Sequence, residues 1–118
     1  MNPSSSAGSE RETDIVLRFN DAFNRHDVAG MMDRMTDDCA FENTHPAPDG
    51  TRIEGRAAVA AFWHDFFRAS PRARIDVEEI FGGGDRCVLR WRYAWVDDAG
   101  VEGHVRGVDV YRLRGGRI

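Results

Sequence analysis

The stretch that decides the architecture is Val101-Glu102-Gly103-His104-Val105-Arg106-Gly107-Val108-Asp109-Val110-Tyr111-Arg112-Leu113. Side chains alternate faces along a strand, so Val101, Gly103, Val105, Gly107, Asp109, Tyr111 and Leu113 share one side. That side is mostly apolar or small and is expected to face a core. Asp109 interrupts it. A carboxylate there needs a donor partner or a ligand, or it holds its proton with a raised pKa, because an unpaired buried carboxylate costs several kcal/mol.

Working outward, Asp97-Asp98-Ala99-Gly100 reads as a turn joining this strand to Cys87-Val88-Leu89-Arg90-Trp91-Arg92-Tyr93-Ala94-Trp95-Val96, which alternates in the same way. Gly82-Gly83-Gly84-Asp85 is the preceding turn, and Ile75, Val77 and, after a bulge, Ile80 mark another strand. Gly115-Gly116 starts one more turn before Ile118.

Towards the N-terminus the period changes to that of helices. Ser9 and Glu12 have capping-box form ahead of Ile15, Val16, Phe19, Ala22 and Phe23, which predicts a helix over about 10–25. Asp27 caps a short second helix carrying Val28, Met31, Met32 and Met35. A strand over 39–44 follows, then a loop at His45-Pro46-Ala47-Pro48-Asp49-Gly50. Val59, Phe62, Trp63, Phe66 and Phe67 give a third helix over 56–69, with Pro71 just past its end. Three N-terminal helices followed by hairpin-connected strands make an α+β fold, the helices packed in a curved antiparallel sheet. Such a sheet tapers into a cone with an open mouth, where a ligand would sit.

The chain has 118 residues, enough for one cored domain over 9–118 with a disordered lead over 1–8. A net charge of -4 and scattered arginines argue against nucleic acid and membrane surfaces as partners, since both favour a clustered basic face. Cys39 and Cys87 lack metal-type spacing and are expected to be free and buried, which with the polar N-terminus predicts a cytoplasmic protein. No metal or cofactor motif is present: there is no His-x-x-x-His, no Cys-x-x-Cys, no phosphate loop and no Gly-x-Ser-x-Gly.

Several runs together carry a family resemblance: Asn24-Arg25-His26-Asp27 before the Met-rich helix, Asp38-Cys39-Ala40-Phe41-Glu42-Asn43, Gly55-Arg56-Ala57-Ala58-Val59, Asp76-Val77-Glu78, Gly84 to Arg92, and Arg106 to Ile118. In that order they resemble the SnoaL-like domain of the nuclear transport factor 2-like superfamily, also called ketosteroid isomerase-like. The resemblance implies a cystatin-like, cone-shaped α+β barrel, a homodimer, and a last strand that continues past Gly116-Arg117-Ile118. It implies a group of isomerases, polyketide cyclases, epoxide hydrolases, dehydratases and non-catalytic binders, and so does not choose an activity. Ketosteroid isomerase chemistry uses an Asp base and an oxyanion hole of Tyr and protonated Asp. On this chain Asp109 takes the place of the protonated Asp, Asn43 that of the base and Phe19 that of the tyrosine. An amide abstracts no proton and a phenyl ring donates no hydrogen bond. Epoxide hydrolases set an Arg between acids, and cyclases pair an acid with a His. Here Arg106 and His104 face away from Asp109 on a regular strand, unless a bulge at Gly107 turns them.

Two readings follow. In the first, Asp109 and Asn43 are the polar, catalytic pair of a pocket for a small hydrophobic or aromatic ligand. Its lining is Phe19, Phe23, Phe41, Trp63, Phe67, Trp91, Tyr93, Trp95 and Tyr111, with His104 and Arg106 as further contacts, and any turnover is cofactor-free proton transfer. In the second, Asp109 is structural, Asn43 caps the following loop, and the aromatics fill a closed core or dimer interface of a non-catalytic module.

Overall fold

Helix α1 (Glu12–Asn24) opens the packing in a computed structural model that describes residues 11–118. Ile15, Val16, Phe19, Ala22 and Phe23 recur every three or four residues and are all buried. The helix starts two residues later than the capping box implies. Arg11 is its N-cap and makes no side-chain cap bond, while Ser9 and the expected lead over 1–8 lie outside the described residues. Helix α2 (Val28–Met32) is capped as its sequence requires, with the Asp27 carboxylate accepting the Gly30 N–H at 3.0 Å. Between them His26 sits at a φ of 56°, its ring stacked 4.3 Å from Phe67 and bonded to the Ala73 carbonyl at 2.9 Å.

Strand β1 (Ala40–Asn43) pairs antiparallel with β2 (Thr51–Glu54), a strand absent from the sequence pattern because Ile53 is its single apolar residue. Ile53 lies opposite Phe41, and both pack on the first core cluster, which α3 (Arg56–Ala69) supplies with Val59, Trp63 and Phe67. Phe23 sits 5.0 Å from Phe67 and 5.6 Å from Trp63, ring centroid to centroid, so one aromatic cluster joins α1 to α3.

The main sheet has the order β3 (Arg74–Gly83), β4 (Arg86–Val96), β5 (Glu102–Arg112), all antiparallel. A bulge falls between Val77 and Glu79, where the sequence pattern breaks. The β1–β2 pair is a separate sheet among the described residues, joined to the rest through side chains on α3 instead of through a shared ladder. Asn24 closes the N-terminal end of β3: its Nδ2 donates to the Ile75 carbonyl at 2.9 Å and its Oδ1 accepts the Ile75 N–H at 2.8 Å. The C-terminal turn is tied down in turn, since Ile118 N–H donates to Arg34 O at 2.7 Å and Ile118 O accepts from Thr36 N–H at 2.8 Å. Arg114 forks onto Asp38 beside it and holds that carboxyl down at about 2.

The second core cluster, Ile15, Val16, Cys87, Leu89 and Leu113, lies between α1 and the sheet. Tyr111 and Ile118 touch both clusters. Both cysteines are free and buried.

Because Phe23 is 3% exposed at the junction of α1 and α3, Phe23→Ala should cost about 3–5 kcal/mol, whereas Val108→Thr, 55% exposed on the sheet, should change stability by less than about 0.5 kcal/mol. Equilibrium urea unfolding checks both.

Candidate functional site

Strands β4 and β5 stay in register without interruption, pairing Cys87 with Tyr111, Leu89 with Asp109, Trp91 with Gly107 and Tyr93 with Val105. No bulge occurs at Gly107. The strict alternation therefore puts Asp109 on the inner face, directly across from Leu89, which is 1% exposed. The Tyr111 hydroxyl, two residues along on the same face, donates to Asp109 Oδ2 at 3.3 Å. Phe19 of α1 meets Tyr111 edge-on, 6.2 Å between centroids.

Gly107 decides what covers the carboxyl. A Cβ there would lie 2.5 Å from Trp91 Cζ2, so only glycine lets the indole lie across β5 beside Asp109. The Trp91 N–H is buried without a hydrogen bond of proper geometry, as is that of Trp63. Its dipole still lies close enough to Asp109 to favour the charged carboxylate, as does the Tyr111 hydroxyl, but burial outweighs both and pushes the Asp109 carboxyl up. No cation pairs with it among the described residues. Burial, then the neighbouring Asp109 charge, drive the Tyr111 hydroxyl well above its ordinary range, so it remains a donor. The site thus holds a carboxyl with a tightened proton, a phenol that donates to it, and an indole N–H close to the same carboxyl. Chemically, such a set is able to hydrogen-bond an oxygen atom, with Asp109 donating when protonated and accepting when ionised.

The remaining predicted residues divide by position. Phe23, Phe41, Trp63 and Phe67 form the aromatic cluster beneath α3, while Tyr93 contacts Phe66 at 6.1 Å and Trp95 at 5.7 Å. Asn43 is not hydrogen-bonded to Asp109. Its Oδ1 accepts the N–H groups of His45 (3.2 Å) and Thr51 (3.3 Å) and so closes the proline loop. His104 and Arg106 stand on the outer face of β5, because without a bulge at Gly107 even and odd positions stay opposed. Arg106 Nε there donates to Glu78 Oε2 at 3.0 Å, and Glu78 also holds Arg90. Sequence reasoning missed that Tyr111 is the carboxyl's donor partner and not only wall. The Asp-x-Tyr spacing on one strand face is the signal that would have found it. The indole over Gly107 has no such signal, since it requires the cross-strand register.

A SnoaL-like domain model matches residues 16–118. The chain belongs to the SnoaL-like domain family. It is 39% identical to an NTF2-like protein of unknown function from Mesorhizobium loti, with a TM-score of 0.74 over 92% of this chain and 88% of that one. A Mycobacterium tuberculosis protein crystallised in complex with estradiol-17beta-hemisuccinate is 27% identical, with a TM-score of 0.71 over 86% of this chain and 82% of its own. A cystatin fold protein from Novosphingobium aromaticivorans, 18% identical with a TM-score of 0.78 over 92% and 93%, shares the fold. No curated protein matches the chain. Among the described residues of this SnoaL-like domain, no helix is long and apolar enough to cross a membrane, and no three His, Cys, Asp or Glu gather as metal ligands.

A carboxyl whose pKa is raised on folding stabilises the protein below its unfolded value and loses that contribution as pH rises through the folded value. Asp109→Asn should therefore gain melting temperature relative to wild type as pH climbs from about 3.8 towards neutrality, then level off. Differential scanning calorimetry across that range checks it. A difference that does not change with pH, or one that falls, contradicts it.

Proposed function

We propose that this SnoaL-like domain binds a cyclic, largely apolar molecule on the inner face of its sheet, recognised through a carbonyl or hydroxyl oxygen by Asp109. The observation that carries the reading is Asp109 itself: an inward carboxyl with its proton equilibrium shifted by burial, lying beside the Tyr111 hydroxyl and the Trp91 indole. Phe19 and the aromatics of α3 supply the apolar wall. The estradiol ester held by the 27% identical mycobacterial relative is a ligand of this chemical type and supports the reading. The same carboxyl is the group that would exchange a proton in isomerase-, cyclase- or dehydratase-type chemistry, with no cofactor. Asn43 offers no base for such a step. Binding with polarisation of the ligand oxygen is therefore the activity these residues support best.

Estrone and estradiol, titrated against intrinsic tryptophan fluorescence, test the site. Replacing Asp109 by Leu should weaken binding roughly tenfold, the value of one buried hydrogen bond, with the fold intact by circular dichroism. Equal affinity in the variant, or no binding to wild type, overturns the reading in favour of a closed, non-catalytic module.

The partner proposed for the protein itself is a second copy. On the outer face, register sets Phe81, Val88 and Val110 in one row across the sheet, with Val108 beside it. Phe81 is 57% exposed and Val110 69%, an unusual apolar exposure on a sheet. Arg86 and Arg112 flank the row on one side, and on the other Arg90 is held by Glu78 and Glu79, so the apolar row is the part of this face that a copy related by a two-fold axis would cover. Light scattering during gel filtration should give a dimer for wild type and a monomer for Val110→Asp. A wild-type monomer at high micromolar concentration contradicts the dimer.

A further inference from the structure

Past Phe66, the inner face of β4 ends in an aromatic pair. Tyr93, which still touches Phe66, and Trp95 lie 5.7 Å apart between ring centroids and are tilted by 31°. One side of the Trp95 indole is pressed against β5, because a Cβ at Gly103 would lie 2.5 Å from Cζ2, and yet the residue remains 38% exposed. Both rings border a hollow of about 600 Å³ between the turn after α3 and the inner face of β4.

The charge of this lining is acidic. Asp97 and Asp98, on the turn that leaves β4, share it with one cation, Arg72, so two carboxylates stand against a single guanidinium. Asp97 Oδ1 accepts the N–H groups of Ala99 (2.9 Å) and Val101 (2.8 Å), which fixes the turn while the carboxylate keeps its charge. Asp98 and Arg72 make no ion pair among the described residues. The register puts Arg74 and Arg92 on the outer face, and neither borders this hollow.

We infer that this end of the sheet is a second ligand site, for a small molecule carrying a methylated ammonium group. The cation lies against Trp95 and Tyr93, and Asp97 and Asp98 supply its counter-charge from the turn. An indole offers the best aromatic face for a cation, and methyl groups bury against the rings where a bare ammonium stays strongly hydrated. An anion would meet the two carboxylates directly, and an uncharged molecule would gain nothing from them. The volume of the hollow falls in the usual range for small-molecule sites. The site is separate from Asp109 and does not rest on the reading of that carboxyl. Trp95 stands six residues along β4 from Leu89, the cross-strand partner of Asp109, which is roughly 20 Å at strand spacing.

The test titrates the protein with choline and with 3,3-dimethyl-1-butanol, its uncharged isostere, and follows the indole ¹⁵N–¹H resonances. Choline should move the Trp95 resonance saturably in the millimolar range, and the isostere should bind roughly tenfold more weakly. Removing one carboxylate with Asp98→Asn should weaken choline binding roughly threefold, and removing the opposing cation with Arg72→Gln should tighten it by a similar factor. The inference is overturned if choline does not saturate at high millimolar concentration or if the isostere binds as well. It is also overturned if Asp98→Asn keeps the wild-type affinity or Arg72→Gln lowers it. A choline shift at Trp91 in place of Trp95 that disappears in Asp109→Leu likewise overturns it, since the probe would then belong to the Asp109 site.

Discussion

The antiparallel pairing of β4 with β5, unbroken from Arg86–Arg112 to Val96–Glu102, is the constraint on which the rest depends. A strand side chain has two faces to choose between, and a single inserted residue would exchange them. Because no residue is inserted, Asp109 is held against Leu89 and faces the helices, while Arg106 and His104 are committed to the opposite face. The one irregularity in the sheet, at Glu78, lies on the other side of β4 and leaves β5 undisturbed. A slip on β5 would turn Val108 and Val110 inward and carry the carboxyl out to water.

Glycine on β5 then determines what the inner face can hold. Gly103 and Gly107 lie opposite Trp95 and Trp91, and in both pairs the missing side chain is replaced by an indole laid flat across the strand. At Gly107 the ring helps dehydrate Asp109, and at Gly103 it leaves an open aromatic surface at the end of the sheet. The same cross-strand device therefore shapes two different environments. In one, a carboxyl keeps company with a phenol and an indole N–H. In the other, an indole lies partly exposed beside Tyr93.

Much of this was legible in the sequence. The 3.6-residue spacing of Phe19, Ala22 and Phe23, and of Val59, Trp63 and Phe67, marks the buried stripes of α1 and α3, and alternation marks β4 and β5. Asp27 announced its cap, and the broken alternation between Val77 and Ile80 announced the bulge. What escaped depended on partners far along the chain. Strand β2 is too short and polar to show a period, and it forms because Ile53 finds Phe41 and the α3 aromatics. Arg11 took the cap position that the Ser9–Glu12 spacing assigned elsewhere. The inward face of Asp109 followed from alternation alone, but its donor, Tyr111, and the engagement of Asn43 with the loop backbone are facts of geometry that residue types do not specify.

Membership of the SnoaL-like family establishes the scaffold and leaves the activity to the site. The central claim is that the environment of one carboxyl, built by β5 and roofed by Trp91, favours its protonated form. Carbon-13 NMR of the aspartate side chains, assigned by difference with Asp109→Asn, measures this directly. The account predicts that the Asp109 carboxyl titrates above the ordinary value of 3.8. A midpoint at or below that value would contradict it.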